Sequence, residues 1–395
     1  MLFLVSLSLV FICTLVASEA YEYLSDEKKE ILKIEKEVNA KNATNLKLDW
    51  INPIVASYSY SKSNQIGVLS TSKFFRISFD QPVFKSGGIY FAIKYSDANR
   101  KFKEIAQRTK ESNLIKNLYD SVLNLKKLDA QIQKATLSIL NAKIDIKRKK
   151  EQFDSGLLDS SFLDSAILNK TKLEHQRLSL EASKFALQKS FENLSNYNYK
   201  EIKLPHFESV TKEEFIKNNL DISSSHSNKN QAKELKNITI SNYLPTFSLY
   251  GDYSYKDDEI QFFKQAKEYK SYGIRVSMPI FAINRGRDIE IRKLEYLKAK
   301  IALKDSKKAS VHEFQSIENS ILILKKRVEI AKSDLLLYDS LVKNAQDGLV
   351  AGEKTTLDVD TLKNSKEIAS FDEKIYDIDI QLEFLKLYAK MSDAI

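Results

Sequence analysis

Cysteine is all but missing from this 395-residue chain, the one example, Cys13, lying in an apolar run near the N-terminus. Beyond that run there is no disulfide, no thiolate metal site and no thiol redox chemistry. Histidine is nearly as scarce. His175, His206, His226 and His312 are far apart, none with a second ligand at helical metal spacing. His312-Glu313 opens a zinc-protease pattern that Ser316 breaks. No phosphate loop, nucleophile elbow or Gly-rich cofactor turn is present, and Asp159, Asp164 and Asp358 are not set out as an acid–base pair. The expectation is a protein that is no enzyme and carries no cofactor or metal. Long apolar runs are missing too. Only Leu2 to Ala17 approaches the roughly 18 residues of a membrane helix, so any entry into a bilayer must use strands.

Leu2 to Ala17, followed by Ser18-Glu19-Ala20, reads as a secretory signal over residues 1–20, with an uncleaved anchor as the alternative because no Lys or Arg precedes it. Bulky Val10-Phe11-Ile12 ahead of Cys13 disfavours lipid attachment. The formal charge of +9 is spread over many lysines rather than gathered, which fits solvated helix faces and not a nucleic-acid partner.

Proline and glycine are also few, five and nine, and their places matter more than their number. Ile89 to Ser155 is 67 residues without either. Its apolar positions run Ile115, Leu118, Val122, Leu125, Leu128, Ile132, Ala135, Ile139, Ala142, Ile146, the three-four spacing of a coiled-coil helix, about 100 Å long at ~1.5 Å per residue. A second stripe, Leu123, Ala130, Leu137 and Ile144, implies neighbours on two sides, as in a ring of helices. Arg287 to Asp347 is another such run, with Phe314, Ile317, Ile321, Leu324, Val328, Ala331, Leu335, Tyr338, Val342 and Ala345. Pro53 and Pro245, Pro82 and Pro279, Gly156 and Gly352 lie 192 to 197 residues apart, so the chain is a tandem repeat.

Each half opens with a helix of about 22 residues, in the first half behind Ser25 as cap, and then changes period from helical to two. Ala56, Tyr58 and Tyr60 alternate with serines, and Phe75, Ile77 and Phe79 with Arg76, Ser78 and Asp80. In the second half Phe247, Leu249, Tyr253 and Tyr255, then Tyr272, Ile274, Val276 and Met278, repeat the device. Strands of about ten residues with an aromatic face and a polar face suit a tilted transmembrane barrel. The other reading, a sheet with one face on its own core, lacks a second apolar layer nearby. Four strands close no barrel, so several chains must share one. Hairpin loops are expected at Lys62 to Lys73 and Lys256 to Ser271. Return arms of about 42 residues, Leu157 to Tyr197 and Glu353 to Ala394, plus the short helices, balance the long rods, and Asn198 to Asn230 is expected to be the least regular segment.

Taken together, the strand openings Asn52-Pro53 and Leu244-Pro245, the strand endings Gln81-Pro82-Val83-Phe84 and Met278-Pro279-Ile280-Phe281, and the turns Phe153 to Leu158 and Leu349 to Val359 resemble the TolC-like outer-membrane efflux protein family. The resemblance implies a mainly α protomer with a small β part, three copies giving a helical tunnel and a 12-stranded transmembrane barrel. It implies a homotrimer in outer-membrane lipid with a large periplasmic extension, docked by a periplasmic adaptor (membrane fusion) protein and fed by an inner-membrane transporter, the exit duct of a tripartite pump or a type I secretion system. A periplasmic coiled-coil adaptor or scaffold is the alternative. The expected segments are 1–20 signal, 21–50 helix, 51–84 strand pair, 85–200 hairpin with its tip at 153–158, 201–242 equatorial linker and short helix, 243–281 strand pair, and 282–395 hairpin with its tip at 348–354. Carried over by position, Ser155, Gly156 and Leu157 with Ala351, Gly352 and Glu353 match the adaptor-contact tips. Asp358 matches an acidic pore constriction. A second family Asp position holds Thr361 here, with Asp360 beside it.

Overall fold

The computed structural model describes residues 21–65, 68–260 and 263–392, so the signal reading of 1–20 and the two hairpin apices lie outside the described residues. Both halves carry the same parts in the same order. The first runs α1 (Asp26–Leu48), β1 (Val55–Gln65), β2 (Val68–Phe84), α2 (Gly88–Asp154) and α3 (Ser160–Glu192). The second, after the two-turn α4 (Lys212–Asn218), runs α5 (Leu220–Ser241), β3 (Thr246–Ile260), β4 (Phe263–Ser277), α6 (Arg285–Val350) and α7 (Thr356–Tyr388). The long rods α2 and α6 are 67 and 66 residues, and no helix among the described residues is long and apolar enough to cross a membrane.

The chain divides into a helical unit (residues up to 33, 108–220 and from 308 on) and a sheet unit (34–107 and 221–307). In the helical unit the stripe read from the sequence is the core. Ile115, Leu118, Val122 and Leu125 of α2 are buried with Phe314, Ile317, Ile321 and Val328 of α6 and Leu385 of α7. Leu123 and Ala130, on the second face of α2, are buried as well, so this rod does have neighbours on two sides. On α6 another heptad stripe, Ile323, Ile330 and Leu337, is 46–62% exposed.

In the sheet unit the order is β1-β2-β3-β4, all antiparallel, with Ser78 opposite Val55, Asp252 opposite Ser78, and Ser271 opposite Asp252. Period two puts Tyr58, Phe75, Ile77, Phe79, Leu249, Tyr253, Ile274 and Val276 on one face. That face is open, Tyr272 being 87% and Ile274 72% exposed, whereas Ser248 and Ser254 on the other face are buried. Gly251 stands opposite Phe79, and a Cβ there would meet the Phe79 ring at 2.3 Å, so the ring covers a glycine that no larger residue can replace without moving it. Gly251→Val is expected to cost on the order of 2 kcal/mol by overpacking, read as a lower midpoint of unfolding, with Gly251→Val/Phe79→Ala recovering part of it.

Three expectations need correction. The strands are 11, 17, 15 and 15 residues, and the described residues of Lys62 to Lys73 and of Lys256 to Ser271 are paired strand rather than loop. Hydrophobic alternation marks only the apolar band of each strand, while the ladder is held by backbone bonds and polar cross-strand contacts, such as Ser63 to Ser70 at 2.7 Å and Ser72 Oγ to Asp258 Oδ1 at 2.7 Å. Second, the serine run Ser223 to Ser227 lies inside α5. Serine is a weak helix former, by about half a kcal/mol each, and tertiary packing overrides it. Ser227 and Ser241 are buried where small side chains fit, Ser241 lying against Gly88. Apart from Asn219 between α4 and α5, irregular chain within Asn198 to Asn230 is limited to 198–211, and even there Tyr199, Ile202 and Phe207 are buried, Phe207 exchanging backbone bonds with the Gln381 amide. Third, the return helices α3 and α7 are 33 residues each, not 42. The tips take three residues from each arm, and side-chain turns at Ser195 and Asn198 end the first one early.

Candidate functional site

The two helical tips are built to one plan. In the first, the Gly156 N–H donates to Phe153 O (2.9 Å) and the Leu157 N–H to Gln152 O (2.9 Å). In the second, the Gly352 N–H donates to Leu349 O (3.1 Å) and the Glu353 N–H to Gly348 O (2.8 Å). This pair of bonds is the Schellman cap, and it needs a residue at positive φ after the helix. Gly156 at +70° and Gly352 at +78° supply it. Three residues on, a side chain caps the next helix: Asp159 accepts from the Ser161 N–H (2.9 Å), and Thr355 accepts from the Asp358 N–H (3.3 Å). Ser155, Gly156, Leu157, Ala351, Gly352 and Glu353 are all exposed, as are the apolar Leu157 and Val350.

The tips differ one turn later. At the position of Phe162 in the first repeat, exposed, the second repeat has Asp358. Its carboxylate closes a capping box, accepting from the Thr355 N–H (2.9 Å), and meets Arg148 Nη2 of α2 at 2.6 Å. The Thr355 backbone and hydroxyl, then the Arg148 charge, hold this carboxyl below the usual carboxylate range. A depressed carboxyl contributes stability above its unfolded pKa and loses it only as pH falls through the lower folded one, so the box stays charged from neutrality down to about pH 4. Thr361 sits beside it, within 3.5 Å of Arg148 Nη2, while Asp360 is exposed. The structure thus brings Asp358 and Thr361 together at one guanidinium and leaves Asp360 apart.

Sequence reasoning missed that guanidinium and what lies behind it. Lys127 reaches Asp379 (2.6 Å), Lys134 reaches Asp372 (2.5 Å), Asn141 meets Asn364 (2.9 Å) and Ser365 (3.3 Å), and Arg148 meets Asp358. These are steps of seven residues forward along α2 and backward along α7 (Asp379, Asp372, Ser365, Asp358), a polar ladder joining antiparallel helices. The signal was present as complementary groups at heptad spacing, but only a known pairing of the two helices makes it visible.

No protein-family model matches the sequence, and no curated protein does. Solved structures match over nearly the whole chain. The outer membrane protein VceC from Vibrio cholerae is similar with a TM-score of 0.70 at 13% identity, over 94% of each chain. The CmeC outer membrane channel of Campylobacter jejuni is similar with a TM-score of 0.71 at 14% identity, over 97% of this chain and 87% of that one. The fold is that of the TolC-like outer-membrane channels. The MtrE outer membrane channel of Neisseria gonorrhoeae, in its open state, shares it with a TM-score of 0.62 at 12% identity, over 97% and 88% of the two chains. Within a TolC-like fold, a repeated Schellman turn and a repeated strand pair are what the tandem sequence encodes.

Proposed function

We propose that this chain is one third of a trimeric outer-membrane channel with a periplasmic tunnel, serving as the exit duct of a tripartite efflux pump or a type I secretion system. The observation that carries the reading is the sheet: four strands with an exposed aromatic face, and outer strands β1 and β4 that have no further strand partner among the described residues. Lipid satisfies neither an open strand edge nor its N–H and C=O groups, so three copies must pair edge to edge. Similarity to solved outer-membrane channels supports the same reading. So does the open heptad stripe Ile323, Ile330 and Leu337 on α6, which a neighbouring copy would cover. The exposed tips are the surface for a periplasmic adaptor, which couples the duct to an inner-membrane transporter.

Membrane fractionation followed by gel mobility with and without heating tests this. A trimer band that collapses to monomer on heating, in the outer-membrane fraction, is the expected result; a water-soluble periplasmic monomer overturns it.

Asp358 and Arg148 form the narrowing at the tunnel mouth in this reading, with Thr361 beside them and Asp360 exposed nearby on α7. In bilayer recordings Asp358→Ala and Arg148→Ala should both raise conductance, because each breaks the tie between α2 and α7. They should move block by multivalent cations in opposite directions. Loss of three carboxylates weakens block, and loss of three guanidinium groups strengthens it, by roughly threefold or more in the blocking concentration. Unchanged conductance and block in both variants removes the pair from the mouth. Because the Asp358 carboxyl is held low, block in the wild type should be flat between about pH 5 and 8.

A further inference from the structure

The polar face of the sheet carries a charge arrangement that neither the tip nor the tunnel requires. By register, Arg76, Ser78 and Asp80 of β2, Tyr250, Asp252 and Ser254 of β3, and Gly273 and Arg275 of β4 share that face. Arg76 lies opposite Ser254 and reaches diagonally, its Nε donating to Asp252 Oδ2. Arg275 spans three strands. From β4 its guanidinium passes over the Tyr250 ring, 4.7 Å from the centroid, and Nη1 donates to Asp80 Oδ2 on β2. Gly273, opposite Tyr250, leaves the ring its space, since a Cβ there would come within 3.0 Å of the Tyr250 hydroxyl. Arg76, Ser78, Asp80, Tyr250, Asp252 and Arg275 line an open cleft of about 360 Å³. Both arginine side chains are about half exposed, at 49% and 53%, against 22% for Asp252 and 42% for Asp80. A guanidinium has five N–H donors, and one carboxylate engages only one or two of them.

Two arginines on the wall of a narrow aqueous passage make an anion site; two carboxylates bonded to them cancel it. We propose that Asp80 and Asp252 set the charge preference of the passage through the sheet, masking Arg76 and Arg275 so that neutral and zwitterionic solutes pass this level of the wall without meeting free guanidinium charge, with small anions as the class that the unmasked arginines would bind. This rests on the reading of the polar face as the wall of a trimeric channel. The masking is local, because each carboxylate comes from the strand next to or two strands from its arginine and all four residues line the same cleft. Losing both carboxylates in three copies leaves six uncompensated positive charges around one passage, in a setting where low-dielectric walls focus the field.

The test is the reversal potential of the full-length assembled protein in a planar bilayer under a potassium chloride gradient. Asp80→Asn/Asp252→Asn should raise the chloride-to-potassium permeability ratio by about threefold or more. The mirror variant, Arg76→Gln/Arg275→Gln, should shift it toward potassium by a similar factor. If the first variant does not assemble, the second carries the test alone. Wild type and mirror variant conducting with the same reversal potential overturns the inference and leaves the channel reading standing. A wild-type protein that never conducts overturns the channel reading itself.

Discussion

Gly352→Arg, and separately Gly156→Arg, should abolish transport in a complementation assay while leaving a heat-resistant trimer of normal conductance. The physics separates two roles that a glycine at a turn can have. Positive φ costs a non-glycine residue roughly 1 kcal/mol, which a long helical protein tolerates. A Cβ built at either position meets nothing within 4 Å, so the added side chain has no internal clash to resolve. What it changes is the outside. It places a long cation on a small exposed turn, where the proposed adaptor would need close backbone approach. Gly286→Arg is the control, because that glycine is also open around its Cβ yet has no positive φ and lies outside the tips. It should transport normally. Trimers lost in the tip variants would make both glycines purely structural turns; full transport in both would remove the tips from the docking surface.

The tips were legible in the sequence because glycine is the residue that a Schellman turn demands, so Gly156 and Gly352 mark their own conformation. The rods were legible because a two-sided apolar stripe on α2 has no other use. Element lengths were less so. Strand was read only as far as Tyr60 and Tyr255, where the apolar band ends, although the paired backbone continues to Gln65 and Ile260. The helix α5 was hidden by serines whose small size suits a buried contact. The site suffered from a different gap. Asp358 was found by its distance from Gly352, but its partners, Thr355 three residues before it and Arg148 more than two hundred residues away, decide what it does. A pairing between distant helices is a tertiary fact, and one sequence contains only its two halves.

Reversing the two upper rungs of the ladder, Lys127→Glu/Lys134→Glu, should lower the melting of the helical signal by roughly 10 °C, and adding Asp379→Lys/Asp372→Lys should restore most of it. Side chains on these rungs are between 22% and 35% exposed, neither free in solvent nor sealed from it. Breaking such a pair should cost about 1–2 kcal/mol, between the ~0–1 of a surface pair and the ~3–5 of a buried one. Reversal does more than break it, because glutamate then faces aspartate. The rungs are seven residues apart, about 10 Å along the helix, far enough for their costs to add to roughly 4 kcal/mol. At about 2–4 °C per kcal/mol for a unit of this size, that gives the stated shift. Rescue by the swapped pairs distinguishes the pairing from any general intolerance of glutamate on α2. A melting temperature unmoved by the double reversal would mean that apolar packing alone aligns α2 with α7. In that case apolar packing and the Asn141 rung, not the two lysine pairs, hold Arg148 against Asp358 at the proposed mouth.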